Sequence, residues 1–385
     1  MSVTQRQIPG QPQRGTVTAQ AAPGKTDERC GGLDAALQDV RSLDMDGMYA
    51  LMAALGEKPY RARQLFEWVH GRQAAEYEEM SSFSKGLRQR LSGQTRLTVL
   101  RPLKVLTSAR GDTRKYLFAL PDGNAIESVW MRHDYGSSVC ISSQVGCRMG
   151  CAFCASTIGG KIRDLTAGEM LEQVYRIAKD SEERVSHVVV MGSGEPLDNY
   201  DQLVRFIRIL TDEHGLCISR RSITVSTCGI PERIRQLADE QLSVTLALSL
   251  HASSQEKRMR LMPIARRYDL EQVLSACRYY YEATGRRLTF EYSLVAGVND
   301  TDEDVRELAA LLAGLDAHVN LIPVNPVEER SFRPPAMEAV RAFQNKLEKR
   351  GINVTIRREM GADISGACGQ LRRSYLQETA GPEDE

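Results

Sequence analysis

The apolar positions of the chain fall into three regimes. Between residues 45 and 91 they recur at three- and four-residue intervals. Met48, Leu51, Met52 and Leu55 precede Gly56, and Leu65, Phe66 and Val69 follow with Arg61, Arg63 and Arg72 around them. That spacing predicts short helices with an apolar side turned inward and arginines outward. Phe83-Ser84-Lys85-Gly86-Leu87-Arg88 opens another. Between 103 and 131 the period drops to two. Alternating runs at 115–119 and 125–130 flank Pro121-Asp122-Gly123-Asn124, a hairpin signal.

From Ser138 onward, short apolar runs alternate with helical stretches. Strands are predicted at 138–142, 187–192, 221–226, 243–250, 288–295 and 318–323. Thr166-x-x-Glu169 has the form of a capping box, and Met170, Val174 and Ile177 make one apolar face after it. Asp269 and Thr301 are expected to cap later helices. Six strand–helix units imply a parallel sheet with right-handed crossovers, hence an α/β chain folded as a partial (β/α)6 barrel. Beyond it, Val340, Phe343 and Leu347 mark a helix, and Asn353-Val354-Thr355-Ile356 a strand. The expected organisation is a flexible tail at 1–40, a helical accessory domain at 41–102, a β-hairpin connector at 103–136, the barrel at 137–371 and a tail at 372–385.

Charge adds one feature. Lys+Arg and Asp+Glu both number 50, yet residues 57–115 hold 13 Lys and Arg against 6 Asp and Glu. A locally basic helical segment suits phosphate contacts, although a solvated charged face has the same composition. No apolar run reaches the length of a membrane span, and the first residues lack the apolar core of a signal peptide. Nine cysteines, three of them clustered, fit a reducing cytoplasm better than a disulfide scaffold.

Those three are Cys147, Cys151 and Cys154, in the order C-x3-C-x2-C. Clustered thiolates bind zinc or iron–sulfur clusters. Structural zinc draws on two separated pairs, and no second pair follows. A [4Fe–4S] cluster held by three cysteines keeps one iron open to chelate a small molecule. A ferredoxin-like carrier and a zinc site are the alternatives. The remaining unusual residues fall at the carboxyl ends of predicted strands, where βα loops of such barrels build sites. These are Gly192, Gly194 and Glu195, Ser226, Ser249-Leu250-His251, and Asn325. Glycines admit close backbone approach, Glu195 offers an acceptor for an ammonium, and Ser226, Ser249 and Asn325 offer partners for ribose hydroxyls or a carboxylate. His251 reads best as a barrel-lining hydrogen-bonder. Glu127 lies in an otherwise apolar strand, where a surface glutamate is the commoner reading. Cys368 stands between Ala367 and Gly369, small neighbours that expose a thiol. Cys140 precedes the triplet by seven residues, as a core strand residue or a fourth ligand, while Cys217, Cys228 and Cys277 are expected to pack.

The triplet, with Phe153 before its last cysteine, resembles the radical S-adenosylmethionine (SAM) signature. More of the chain then matches in order. Cys140-Ile141-Ser142-Ser143-Gln144-Val145-Gly146-Cys147, Gly194-Glu195-Pro196-Leu197, Ser249-Leu250-His251-Ala252, Glu291-Tyr292, Asn299-Asp300, Asn320-Leu321-Ile322-Pro323 and Ala367-Cys368-Gly369-Gln370-Leu371 resemble the bacterial dual-specificity RNA adenine C2-methyltransferases, the RlmN family of radical SAM enzymes. The resemblance runs from about residue 45 to 371. The long N-terminal tail departs from it, as does Ala265, which stands where the family often has Asn.

The resemblance implies a radical SAM barrel, one [4Fe–4S] cluster on Cys147, Cys151 and Cys154, and two SAM per turnover. It implies SAM contacts at Gly194, Glu195, Ser226, Ser249, Leu250, His251 and Asn325. Cys368 would become S-methylated, Cys140 would resolve the adduct through a transient disulfide, and Glu127 would accept a proton. The implied substrates are adenosine 2503 of 23S ribosomal RNA and adenosine 37 of some transfer RNAs. A donor such as flavodoxin or ferredoxin would supply electrons to a cytoplasmic monomer. A sister family that methylates C8 of the same ribosomal adenosine shares both cysteines. A non-catalytic electron carrier is the rival of another class.

Overall fold

In a computed structural model, residues 37–327, 329–358, 360–364 and 369–379 are described. Cys30, Ala367 and Cys368, with the parts of both expected tails before 37 and after 379, lie outside the described residues. The N-terminal module comprises β1 (Gln38–Asp39), α1 (Met45–Ala54), α2 (Tyr60–Phe66), α3 (Lys85–Gln94) and β2 (Thr95–Arg96). Asp44 and Ser84 start α1 and α3 by accepting from the N–H groups of Gly47 and Leu87. β1, inside the stretch expected as tail, pairs in parallel with β2 and closes the module. Met48, Met52, Leu65, Phe66, Val69 and Leu91 are fully buried within it.

Three antiparallel strands follow: β3 (Arg101–Thr107), β4 (Thr113–Ala119) and β5 (Ala125–His133). Then come β6 (Gly136–Cys140), β7 (Gln144–Gly146), β8 (Lys161–Asp164), α4 (Ala167–Ser181), β9 (Val185–Val190), α5 (Tyr200–Thr211), β10 (Ile223–Thr227), α6 (Pro231–Asp239) and β11 (Thr245–Ser249). The chain ends on α7 (Gln255–Leu261), α8 (Leu270–Thr284), β12 (Leu288–Leu294), α9 (Asp302–Leu311), β13 (Ala317–Pro323), α10 (Met337–Glu348), β14 (Asn353–Ile356) and α11 (Gln370–Thr379). The capping boxes at Thr166, Asp269 and Thr301 all form.

The six expected barrel strands are β6 and β9 to β13, all parallel to their neighbours in that series. Two expectations need correction. The hairpin read as a connector is part of the same sheet, because β5 pairs antiparallel with β6; the full order is β14-β13-β12-β11-β10-β9-β6-β5-β4-β3. The strand at 353–356 is a seventh parallel strand, covering an edge of β13 that would otherwise expose unpaired backbone. A third correction concerns the tail expected from 372. Residues through 379 form α11, whose Leu371 packs with Leu117 and Ala125, beside Leu106 and Tyr375.

Register rows show what each face carries, since residues opposite one another point the same way. One face holds Val139, Val188, Ile223, Val225, Phe290 and Val319, each fully buried beneath the crossover helices. The other runs through Lys115, Val129, Cys140, Val189 and Thr224, with Ser226 one step further along the strands and Ser249, Glu291, Asn320 and Thr355 two steps further. The first is apolar and dry. The second is polar and in part solvent-accessible, and it is the lumen of an open barrel.

Arg41 ties the module to this barrel. It is fully buried, donates to the carbonyls of Val69, Ala74 and Thr98, and pairs with Glu172 of α4 at 3.0 Å. Glu172 also accepts from the N–H of Leu100 at 3.1 Å, fixing the strand entry.

Candidate active site

The cysteine loop leaves β7 and returns through β8. These two short strands pair antiparallel and clasp its base. Gly146 sits at φ +75°, and a Cβ there would lie 2.0 Å from the carbonyl oxygen of Gly160; only glycine allows that approach. The Cys147 N–H donates to that carbonyl at 3.1 Å, Cys154 N–H to Cys151 at 3.2 Å, and Ala152 N–H to Leu261 at 2.8 Å. Burial pushes the Cys147 thiol up to about 12 and raises Cys151 as well, and the neighbouring thiols push both in the same direction. Cys147 and Cys151, both resistant to ionising, call for a cation to hold them as thiolates, and a cluster would supply it. No three His, Cys, Asp or Glu among the described residues converge tightly enough for a single ion; the cysteines of a multi-iron cluster bind separate irons. Three cysteine thiols on one short loop are a soft donor set, and that chemistry fits an iron–sulfur cluster.

Gln144 and Glu195 build the rim beside the loop. Gln144 Oε1 accepts from the Glu195 N–H at 2.9 Å, and its Nε2 donates to Asp164 and Asp198. Gly194 has φ +109°, and a Cβ there would meet Gln144 atoms at 2.6–2.8 Å. The Glu195 carboxylate is buried and accepts from the N–H groups of Leu197 and Cys228, at 3.0 and 2.7 Å. Burial raises its pKa, with the Cys228 N–H opposing. Two loops thus share one carboxylate, which the Thr227 and Cys228 side chains also contact.

Further along the lumen, Ser226 and Ser249 hydroxyls stand 3.4 Å apart. Leu250 is fully buried and its N–H donates to the Glu291 carbonyl at 3.0 Å. His251 is held at φ +57°. Its Nδ1 accepts from the Ser293 N–H at 3.0 Å, and its ring meets Phe153 edge-on at 4.9 Å. Burial and then Arg258 push its pKa down to about 3. A neutral hydrogen-bonder is the outcome, and a general acid is not. Asn325 is exposed beyond β13.

Glu127 overturns its surface reading: it is 4% exposed. Its carboxylate lies 3.1 Å from Lys115 Nζ, an ammonium with no exposure at all. It also accepts from the N–H groups of Gly369 and Arg372, at 2.8 and 2.6 Å. One carboxylate thereby receives the start of α11, and Gly369 is the chain neighbour of Cys368. Cys140 is buried one strand away, opposite Val129. Sequence reasoning missed Lys115, whose strand alternation marked it only as a polar position, and Glu291. Glu291 is buried, accepts from Asn320 Nδ2 at 3.0 Å, and has its pKa raised by burial. Its place in a quoted motif was the available signal. Ala265 is buried and its carbonyl accepts from Gln255 Nε2, so the local backbone is satisfied without an Asn. Cys228 and Cys277 pack as expected, but Cys217 is exposed in a left-handed turn at φ +52°.

Comparison with known proteins gives a consistent result. Residues 141–312 match the family model for the radical SAM superfamily, and 38–97 that for the ribosomal RNA large subunit methyltransferase N-terminal domain. The chain is 56% identical over 342 residues to a probable dual-specificity RNA methyltransferase RlmN of Lachnospira eligens, covering 89% of this chain and 98% of that one. The corresponding protein of Desulforamulus reducens is 52% identical over 337 residues, covering 88% and 96%. The crystal structure of a radical SAM methyltransferase from Sphaerobacter thermophilus aligns with TM-score 0.83 at 43% identity, over 86% of this chain and 98% of that one.

Proposed function

The chain belongs to the RlmN family of radical SAM RNA methyltransferases, and on that premise we propose that it methylates C2 of one adenosine in 23S ribosomal RNA and of one in some transfer RNAs. Superfamily membership implies a [4Fe–4S] cluster and SAM. Cys147, Cys151 and Cys154 would hold the cluster, and Gly194, Glu195, Ser226, Ser249, Leu250, His251 and Asn325 would contact SAM. When bound, the pair supplies a 5′-deoxyadenosyl radical.

Adenine C2 is electron-poor and does not attack a sulfonium methyl directly. Cys368 therefore takes the methyl first, by displacement from one SAM, and a second SAM serves the radical step. The S-methyl group of Cys368 loses a hydrogen atom to the radical, and its carbon bonds to C2. Glu127 accepts the C2 proton. The electron left unpaired on the adduct would return to the one-electron couple of the bound cluster. Cys140 then attacks the Cys368 sulfur, the sulfur–carbon bond breaks, and the freed carbon takes up a proton to become the methyl group, leaving a Cys140–Cys368 disulfide. The observation that carries this reading is the carboxylate of Glu127 receiving the Gly369 N–H on the sheet face that also holds Cys140. Arg61, Arg63 and Arg72 of the accessory domain are proposed RNA contacts. The target base leaves its stack to enter the lumen. A one-electron donor such as flavodoxin or ferredoxin, a cytoplasmic location and a monomeric state complete the proposal. No described helix is long and apolar enough to cross a membrane.

The test is anaerobic: cluster-loaded enzyme, SAM, dithionite and unmodified 23S ribosomal RNA, with the nucleoside identified by mass spectrometry. 2-Methyladenosine is expected. 8-Methyladenosine would move the activity to the sister chemistry, and no methyladenosine would reject it. Cys140→Ala should trap a covalent protein–RNA adduct, seen as a band resistant to denaturation, whereas Cys368→Ala should give neither adduct nor product. Free RNA with Cys140→Ala would reject the resolving role.

A further inference from the structure

Arg148 and Met149 lie between two cluster cysteines and form one wall of an open groove of about 620 Å³. The opposite wall is the segment from Pro263 to Tyr268. The two walls are braced together. Ala152 N–H donates to the Leu261 carbonyl at 2.8 Å, and Pro263 stands 3.4 Å from where a Cβ on Gly150 would lie. Met149, Leu197 and Ile230 also line the groove but are themselves buried, and Ile264 is half-buried. Arg148, Arg233, Arg266 and Arg267 surround it.

Two acids also lie there, and both have partners. Asp198 accepts from Arg148, from Gln144 at 3.0 Å and from Lys161 at 3.1 Å. Glu232 accepts from the Tyr268 hydroxyl. Arg233 and Arg267 lie over the Tyr200 and Tyr268 rings, each 5.0 Å from the centroid. Among the described residues no carboxylate pairs with Arg233, Arg266 or Arg267. The chain as a whole is neutral, so this is a local positive excess set against the cysteine loop.

Resting on the radical SAM reading, which requires one-electron reduction, we propose that this groove is the docking face of a small acidic one-electron carrier protein. Electron transfer weakens steeply with distance. A partner seated in this groove lies against Arg148 and Met149, two residues or fewer along the chain from Cys147 and three or fewer from Cys151. Arginines around the groove suit a transient contact with an acidic protein, in which charge steers the encounter. At docking the carrier loses one electron and the cluster gains it; no bond forms and no proton moves.

The test uses full-length, cluster-loaded enzyme, wild type and Arg266→Glu/Arg267→Glu, with purified flavodoxin hydroquinone as the probe. Four quantities are read: flavodoxin affinity at low and high salt, the stopped-flow rate of cluster reduction, dithionite-driven methylation, and affinity for the ribosomal RNA fragment. The double variant should bind flavodoxin about tenfold or more weakly and be reduced correspondingly slowly, as expected for reversed charges at a steered contact. Its dithionite-driven methylation and RNA affinity should stay within twofold of wild type. Unchanged flavodoxin affinity would overturn the proposal. So would a parallel loss of RNA affinity, which would make the groove an RNA contact, or a wild-type enzyme with no salt-dependent flavodoxin binding. Wild-type methylation with dithionite checks the enzymatic reading separately. If the double variant fails to fold, Arg266→Glu alone, at an exposed position, carries the same comparison with about half the effect on the binding free energy.

Discussion

Lys115→Met should cut RNA methylation by about a hundredfold or more and destabilise the enzyme by about 3–5 kcal/mol, the cost of leaving one member of a buried ion pair alone. Lys115 has no solvent exposure and reaches Glu127 at 3.1 Å. Two backbone N–H groups remain on that carboxylate after the substitution, but neither brings a full charge. A buried carboxylate without its ammonium is driven to take up a proton or to shift, and either change removes the proposed proton acceptor. The double variant Lys115→Met/Glu127→Gln separates stability from chemistry. With no charge left uncompensated it should recover much of the lost stability, while methylation stays absent. Chemical denaturation measures the first and nucleoside mass spectrometry the second, in a double-mutant cycle. Near-wild-type methylation by Lys115→Met would remove Lys115 from the machinery.

The second large effect is expected at Arg41. Arg41→Met leaves Glu172 without a pairing contact at 3.0 Å and strips donors from the carbonyls of Val69, Ala74 and Thr98. Arg176 still reaches Glu172 at 3.0 Å, which moderates the loss. A cost of about 3 kcal/mol is expected. Because the bonds run between the module and α4, hydrogen exchange should rise first in residues 38–97 and least in β10 to β13. A uniform rise across both parts would mean that Arg41 supports the whole fold rather than the junction.

The barrel was legible because each strand–helix unit repeats a period change, and three helices open with capping boxes. The cysteine triplet stood out because soft-metal chemistry favours close thiol spacing. The attachment of β5 to β6 was not, since a hairpin carries no mark of the strand its outer edge will meet. The placing of 353–356 as a seventh strand failed for the same reason: a four-residue strand pairs with whichever edge is open. α11 hid because its burial rests on Leu371 and little else, too few positions to declare a period. Glu127 was misread because a buried charge is paired by distant residues, here 12 positions back at Lys115 and more than 240 ahead at Gly369 and Arg372. Local sequence cannot announce such partners. Arg41 escaped notice altogether for the same cause.

The order in which the ribosome delivers the chain gives the last contact a particular meaning. Every strand of the sheet lies at or before residue 356. Gly369 and Arg372, which the Glu127 carboxylate awaits, come later. A product cut short by a premature stop after β14 would keep the folded sheet and lose the segment that follows Cys368. On the proposed mechanism such a product would lack its reactive segment, so the means to fold and the means to react lie in different stretches of the chain.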